Sequence, residues 1–420
     1  MFSDLSYVFY NRLLSSIKGP VILLVIIKYL SPDEQGLWYL FINLGALSVI
    51  VDFGFTTLLT QYVSNSYGKY KDNDLGFKYP KNVLGLAYFA LKSFFYLSIF
   101  GLIILSLSGL YFIPDTELLL WIIYSIILAF NVFLSAAQAI YTGLDKVKEV
   151  QAILLVASIV SFLLQFTLII FGFSILSLVI ASGLSLLASL SLFLLKSKSF
   201  WKTVIKEKIL IDKKEINSII NLQKKYTISW IAGYFIFNAY VPIISKSINL
   251  EVAGKFGLVI AIFSMFLSLS LSWIFTKTPK MGILAGSKKK HEMLKVWKKS
   301  SVNGLFLLVF FMIIFYVSIH FLPNFFDWKN RILSHKLIFM FSIIFFVRYI
   351  SSVVATLIRV NKLEKMMTIN SLNAIFCVII LSISNFSNID NVMLTIAAWS
   401  ILVILPFVFL IYNNFKKFNV

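Results

Sequence analysis

A chain of 420 residues that is 59% hydrophobic and 13% charged, with a mean hydropathy of +0.90, falls outside the range of soluble domains, which are roughly 45–50% apolar and about 25% charged. Its formal charge of +20 would suggest nucleic acid in a soluble protein. That reading is excluded here, because the basic residues lie in short segments between apolar runs, where they set topology and meet anionic headgroups.

Apolar runs of about 20 residues recur along the chain, each long enough to cross a bilayer. They predict twelve spans, at roughly 7–29, 36–63, 83–108, 117–142, 150–172, 174–195, 226–246, 252–275, 302–322, 337–358, 368–385 and 392–413. The runs are continuously apolar rather than alternating, so they read as helices and not as strands of a barrel. The expected class is therefore an all-α membrane protein. The first span begins without the short apolar stretch and cleavage site of a secretory signal, and the longest polar stretch, about 30 residues, leaves no room for a soluble domain. The single cysteine, Cys377, lies in an apolar run and allows neither an intramolecular disulfide nor a thiolate cluster. The three histidines, His291, His320 and His335, lack ligand spacing, so no metal and no cofactor is expected.

Lys and Arg fix the orientation. With the N-terminus inside, the cytoplasmic segments hold 28 of the 38, the outer loops with the outer span ends hold 6, and four lie further within spans. This asymmetry places both termini in the cytoplasm. Segment 196–225 is a basic linker between an N-terminal lobe (1–195) and a C-terminal lobe (226–420). Within it Phe200, Trp201, Val204, Ile205 and Ile209 recur at helical spacing among lysines. The pattern suits either an amphipathic helix on the anionic inner leaflet or a solvated linker helix.

The two halves echo each other at an offset of 218 residues. Asp33, Gly36 and Trp38 in LSPDEQGLWYLF match Glu251, Gly254 and Phe256 in INLEVAGKFGLV, and TGLDKVK (142–148) resembles the segment around Lys362. With six spans per half this is a parallel repeat, as in two-lobed transporters.

A charge at the bilayer centre costs roughly 2.5–3.5 kcal/mol on insertion scales and marks function by default. Four sit deep: Lys18, Asp52, Lys92 and Arg348, all on the order of 15 Å from the cytoplasmic ends of their spans at ~1.5 Å per residue. Arg12 is shallower. Gly45, Ser48, Asp52 and Thr56 are spaced to share a face of span 2, as are Asn11, Ser15 and Lys18 on span 1. One Lys18–Asp52 pair would be structural, but three cations for one acid point to a hydrated cavity that takes an anionic solute. Gly19-Pro20 in span 1 and Pro242 beside Asn238 in span 7 predict interrupted helices near a transport site, although Pro406 in span 12 shows that the signal is not exclusive to them.

The run LSPDEQGLWYLFINLGALSVIVDFGF (30–55), the TGLDKVK segment and the twelve-span plan resemble polysaccharide-lipid flippases of the multidrug/oligosaccharidyl-lipid/polysaccharide (MOP) exporter superfamily, and among them the Wzx-type O-antigen translocases. The resemblance implies two six-helix lobes in a MATE-like V around a cationic cavity. It further implies an undecaprenyl-diphosphate-linked oligosaccharide carried across the inner membrane by alternating access, alongside other polysaccharide assembly proteins. Arg12, Lys18, Lys92 and Arg348 would meet the diphosphate. Asn238, with Asn11, Asn43, Asn131, Gln138, Gln165 and Tyr234, would meet sugar. Asp52 would be a charge partner or would take up a coupling proton or sodium ion. Ser270 stands opposite Asp52 in the second half, so the symmetry of those contacts is incomplete. A membrane polymerase or ligase would need a large outer loop, which is absent from the sequence. A drug or cation exporter of the same superfamily would need more deep acids. A scaffold without transport is opposed by the costly buried charges. No nucleotide loop or nucleophile constellation marks an enzyme.

Overall fold

A computed structural model describes residues 2–52, 54–71, 80–286, 289–321, 331–361, 365–383 and 389–419; at some of these, Arg12 included, only the backbone is described. Lys362 of the second repeat match lies outside them. The described residues are helical almost throughout and divide into two compact units, Met1–Tyr234 and Phe235–Val420.

The first unit contains α1 (Phe2–Tyr29), α2 (Pro32–Gly45), α3 (Leu47–Asp52), α4 (Phe55–Lys71), α5 (Lys81–Phe112), α6 (Leu118–Gly143), α7 (Val147–Ile170), α8 (Ser174–Glu207) and most of α9 (Lys213–Phe237). The second contains α10 (Tyr240–Ser247), α11 (Leu250–Phe275), α12 (Thr278–Gly286), α13 (Lys290–Phe321), α14 (His335–Val360), α15 (Met367–Ile383), α16 (Ile389–Trp399) and α17 (Leu405–Asn419). Nine helical stretches among the described residues are long and apolar enough to cross a membrane. The remaining expected spans, 1, 7 and 11, fall on α1, on α9–α10 and on the shorter apolar α15.

Span 2 departs from the single helix expected. It breaks at Ala46 and again after Asp52, where Gly54 adopts φ +73°, a left-handed conformation that favours glycine. Ser48 turns its hydroxyl back onto the Gly45 carbonyl (2.7 Å) at the first break. The face-sharing of Gly45, Ser48, Asp52 and Thr56 is thus interrupted twice.

The repeated segments prove to be helix starts. Ser31 caps α2: its hydroxyl accepts from the Glu34 amide (3.3 Å), and the Glu34 carboxylate accepts from the Ser31 amide (2.7 Å), with Pro32 in the first turn. At the same offset Asn249 caps α11, accepting from the Val252 amide at 2.8 Å. Trp38 and Phe256 then turn inward at equivalent places and are fully buried. TGLDKVK is a helix stop. Asp145 has φ +63°, Lys146 N–H reaches back to the Tyr141 carbonyl (3.0 Å) and Asp145 N–H to Thr142 (3.2 Å), the two bonds of a Schellman closure.

The basic linker does not form a separate helix. It is the end of α8, a short non-helical stretch, and the start of α9. Phe200 and Val204 are buried in the first unit's own core, where Phe200 packs edge-on against Tyr141 with centroids 5.8 Å apart. Among the apolar residues of that stretch, Ile205 is exposed. Small residues let the helices of this core approach closely: Ala87 and Ala90 of α5 and Ala136 of α6 are fully buried with Leu59 and Phe94.

Candidate functional site

In the first unit α1 lies against α7. Asn11 donates to both the backbone carbonyl (2.8 Å) and the side-chain oxygen (2.9 Å) of Gln151, and further along the same pair of helices Lys18 Nζ donates to Ser161 Oγ at 2.9 Å. Residue numbers rise together along the two helices, so spans 1 and 5 run parallel, as odd-numbered spans must. Lys18 is half-buried, and its partner is a neutral hydroxyl.

Asp52 does not pair with Lys18; among the described residues no ion pair joins them. Its Oδ1 instead accepts from the Thr56 amide (3.1 Å) and the Thr56 hydroxyl (2.8 Å). The physical reason is the helix break: past Gly54 the first amides of α4 have no intrahelical acceptor, and a carboxylate one turn back satisfies them and matches the positive helix end. Lys92 lies on an exposed stripe of α5 with Phe95, Tyr96, Ile99 and Ile103, and has no acid within ion-pair reach among the described residues. The side chain of Arg12 lies outside the described residues.

In the second unit span 7 is interrupted, at Asn238 and Ala239 between α9 and α10, with Pro242 in the first turn of α10. By contrast α1 continues through Pro20 without a break. Arg348, from α14, reaches the interruption. Its Nη2 donates to the Ile236 carbonyl, and its guanidinium lies over the rings of Phe237 and Phe345, 4.4 and 4.8 Å from their centroids. Arg348 is only 8% exposed, so the freely solvated cation expected from the sequence is instead a buried one engaged with backbone. Asn238 sits half-exposed in the break itself. Beside it the Tyr240 hydroxyl donates to Cys377 Sγ (3.6 Å).

Of the sugar-contact candidates, Asn43 and Asn131 bond to carbonyls of their own helices, and Gln165 is buried on α7. Ser161, the partner of Lys18, was not among the expected residues. The signal for it was present, since Gln151, Ser158, Ser161 and Gln165 form a polar stripe at helical spacing on α7. Among the described residues no group of three or more His, Cys, Asp or Glu side chains could hold a metal ion.

Helix order and spans have counterparts among solved transporters. An inward-facing multidrug resistance MATE family transporter of the MOP superfamily matches at TM-score 0.73 and 11% identity, with 96% of each chain covered. The lipid II flippase MurJ, in an inward closed conformation, matches at 0.63 and 15%, over 98% of this chain and 88% of that one. The MATE multidrug transporter DinF-BH matches at 0.63 and 14%, over 98% and 94%. The fold is MATE-like. At these identities the likeness concerns fold alone. No family model matches the sequence, and no curated protein matches it.

Proposed function

We propose that this multi-pass membrane protein is a flippase of the Wzx kind. It carries an undecaprenyl-diphosphate-linked oligosaccharide, an O-antigen or similar repeat unit, from the inner to the outer leaflet of the bacterial inner membrane by alternating access, with both termini in the cytoplasm. One observation carries this reading: among the described residues none of the three deep cations is neutralised by an acid, and the single deep acid, Asp52, caps a helix. A fold that keeps uncompensated ammonium groups at bilayer depth suits an anionic cargo and disfavours a cationic one. Lys18 and Lys92 are the groups we assign to the diphosphate. A lysine held only by a hydroxyl gives up that bond for a charge-assisted one at little cost. The sugar would meet Asn238 and other polar positions, and the polyprenyl tail would stay in lipid.

The test is export of the lipid-linked sugar in cells, together with its transfer between leaflets in proteoliposomes. Lys18→Ala or Lys92→Ala should reduce export at least about tenfold, the loss expected when one charge-assisted contact is removed, while protein levels hold. Lys→Arg at either position should retain more, because a solvated diphosphate asks for charge more than for fork geometry. Normal export by both alanine variants, or transport of organic cations in place of the lipid-linked sugar, would refute the reading.

A further inference from the structure

Within the expected span 7 (226–246), α9 ends at Phe237, and a helix end leaves its last carbonyls without intrahelical donors. Transporters built on discontinuous helices use such carbonyl ends to hold a free coupling cation. Here the carbonyl of Ile236, one residue from the end of α9, already accepts from the guanidinium of Arg348, which is contributed by α14. Two aromatic faces, Phe237 and Phe345, cover the same cation, and Arg348 is itself buried. The positive charge also faces the negative end of the helix macrodipole, the favourable sense.

We propose that Arg348 is a tethered cation standing where a free coupling ion would otherwise sit, so that the second unit closes its own helix break and binds no metal cation there. Arg348 is then a positioning residue for span 7. This holds whatever the cargo, so it stands or falls apart from the flippase reading.

Cys377 supplies the readout. It is buried, it receives the Tyr240 hydroxyl from the first turn of α10, and it is the chain's single cysteine. Loosening the break lifts Tyr240 away and exposes the thiol. In membranes carrying the full chain, alkylation of Cys377 by N-ethylmaleimide should be slow and equal in sodium chloride and choline chloride. Arg348→Lys should stay slow. Arg348→Gln, which keeps a donor but no charge, should react about tenfold faster, in line with losing a hydrogen bond from a charged group. A wild-type rate that depends on sodium would mean that a free cation holds the break. Equal rates for the Lys and Gln variants would mean that charge is irrelevant. Either result overturns the proposal. Should Arg348→Gln fail to insert, Phe237→Leu reads the same contact, with alkylation about threefold faster for the loss of one cation–π face; an unchanged rate there also overturns it.

Discussion

The two units share a capped helix start, at Ser31 and at Asn249, but break different helices. The first keeps span 1 whole through Gly19-Pro20 and breaks span 2 at Ala46 and around Gly54. The second breaks span 7 at Asn238 and keeps α11, the counterpart of α2, whole from Leu250 to Phe275. The breaks at Gly54 and at Asn238 are closed by a deep charge of the sign that the helix end demands, a carboxylate at an N-terminus and a guanidinium at a C-terminus. The means differ. Asp52 serves a helix that begins three residues later in the chain, whereas Arg348 comes from 112 residues away. The first closure needs only its own segment, while the second ties span 7 to span 10.

That contrast predicts unequal costs. Arg348→Leu removes a hydrogen bond from a charged group, about 1.5–3 kcal/mol, and two cation–π contacts of roughly 0.5–2 kcal/mol each. Relief from burying the charge offsets part of this. A net loss on the order of 3 kcal/mol should lower the melting midpoint in detergent by about 5–10 °C. An unchanged midpoint would mean that the second unit does not depend on its long-range closure.

Crossings between helices sharpen the comparison at a smaller scale. A Cβ at Gly304 would sit 2.5 Å from the Ser270 carbonyl and against the Tyr349 hydroxyl, whereas one at Gly143 would meet the Val63 side chain at 2.7 Å and the Thr60 carbonyl at 3.0 Å. Backbone yields less than a side chain does. Gly304→Ala should therefore cost more than Gly143→Ala, both within the ~1–3 kcal/mol of overpacking. The reverse order in thermal melts would show the second unit to be the more compliant.

What was legible in the sequence follows how far each cause reaches along the chain. The spans were legible because hydropathy is a property of each segment. The segment LSPDEQG stood out, and its meaning is local: Ser31 and Glu34 close a capping box within three residues. Asp52 and Thr56 were grouped on one face, and they do bond, although the break that makes them need each other was hidden in a single glycine. The deep cations were found from the cost of burying them. Their partners were not, because a Ser161 hydroxyl 143 residues away and an Ile236 carbonyl 112 residues away are neutral groups of ordinary type. Charge counting looks for acids, so it offered Asp52 to Lys18 and missed both.

The smallest expected effect bears on the charge that the two readings of span 2 divide over. If Asp52 only caps α4, then Asp52→Asn should be nearly silent, because asparagine accepts from helix amides about as well as aspartate. Asp52→Ala should cost about 1 kcal/mol and leave export in proportion to the folded protein that remains. Because Asp52 and Lys18 share no contact among the described residues, the double variant Asp52→Ala with Lys18→Ala should show additive losses, within about 0.3–0.5 kcal/mol, and no rescue. Had the pair been an ion pair, each single change would have stranded a charge and the double would have recovered stability. A coupling role makes a different demand. Binding a proton or a sodium ion needs the carboxylate itself, so Asp52→Asn would then abolish export while the melting midpoint stayed at the wild-type value. Measuring midpoint and export for these variants separates the roles, and a stable but inactive Asp52→Asn would move Asp52 from helix cap to ion coupling. The first unit would then bind at its break the ion that Arg348 makes unnecessary at the second.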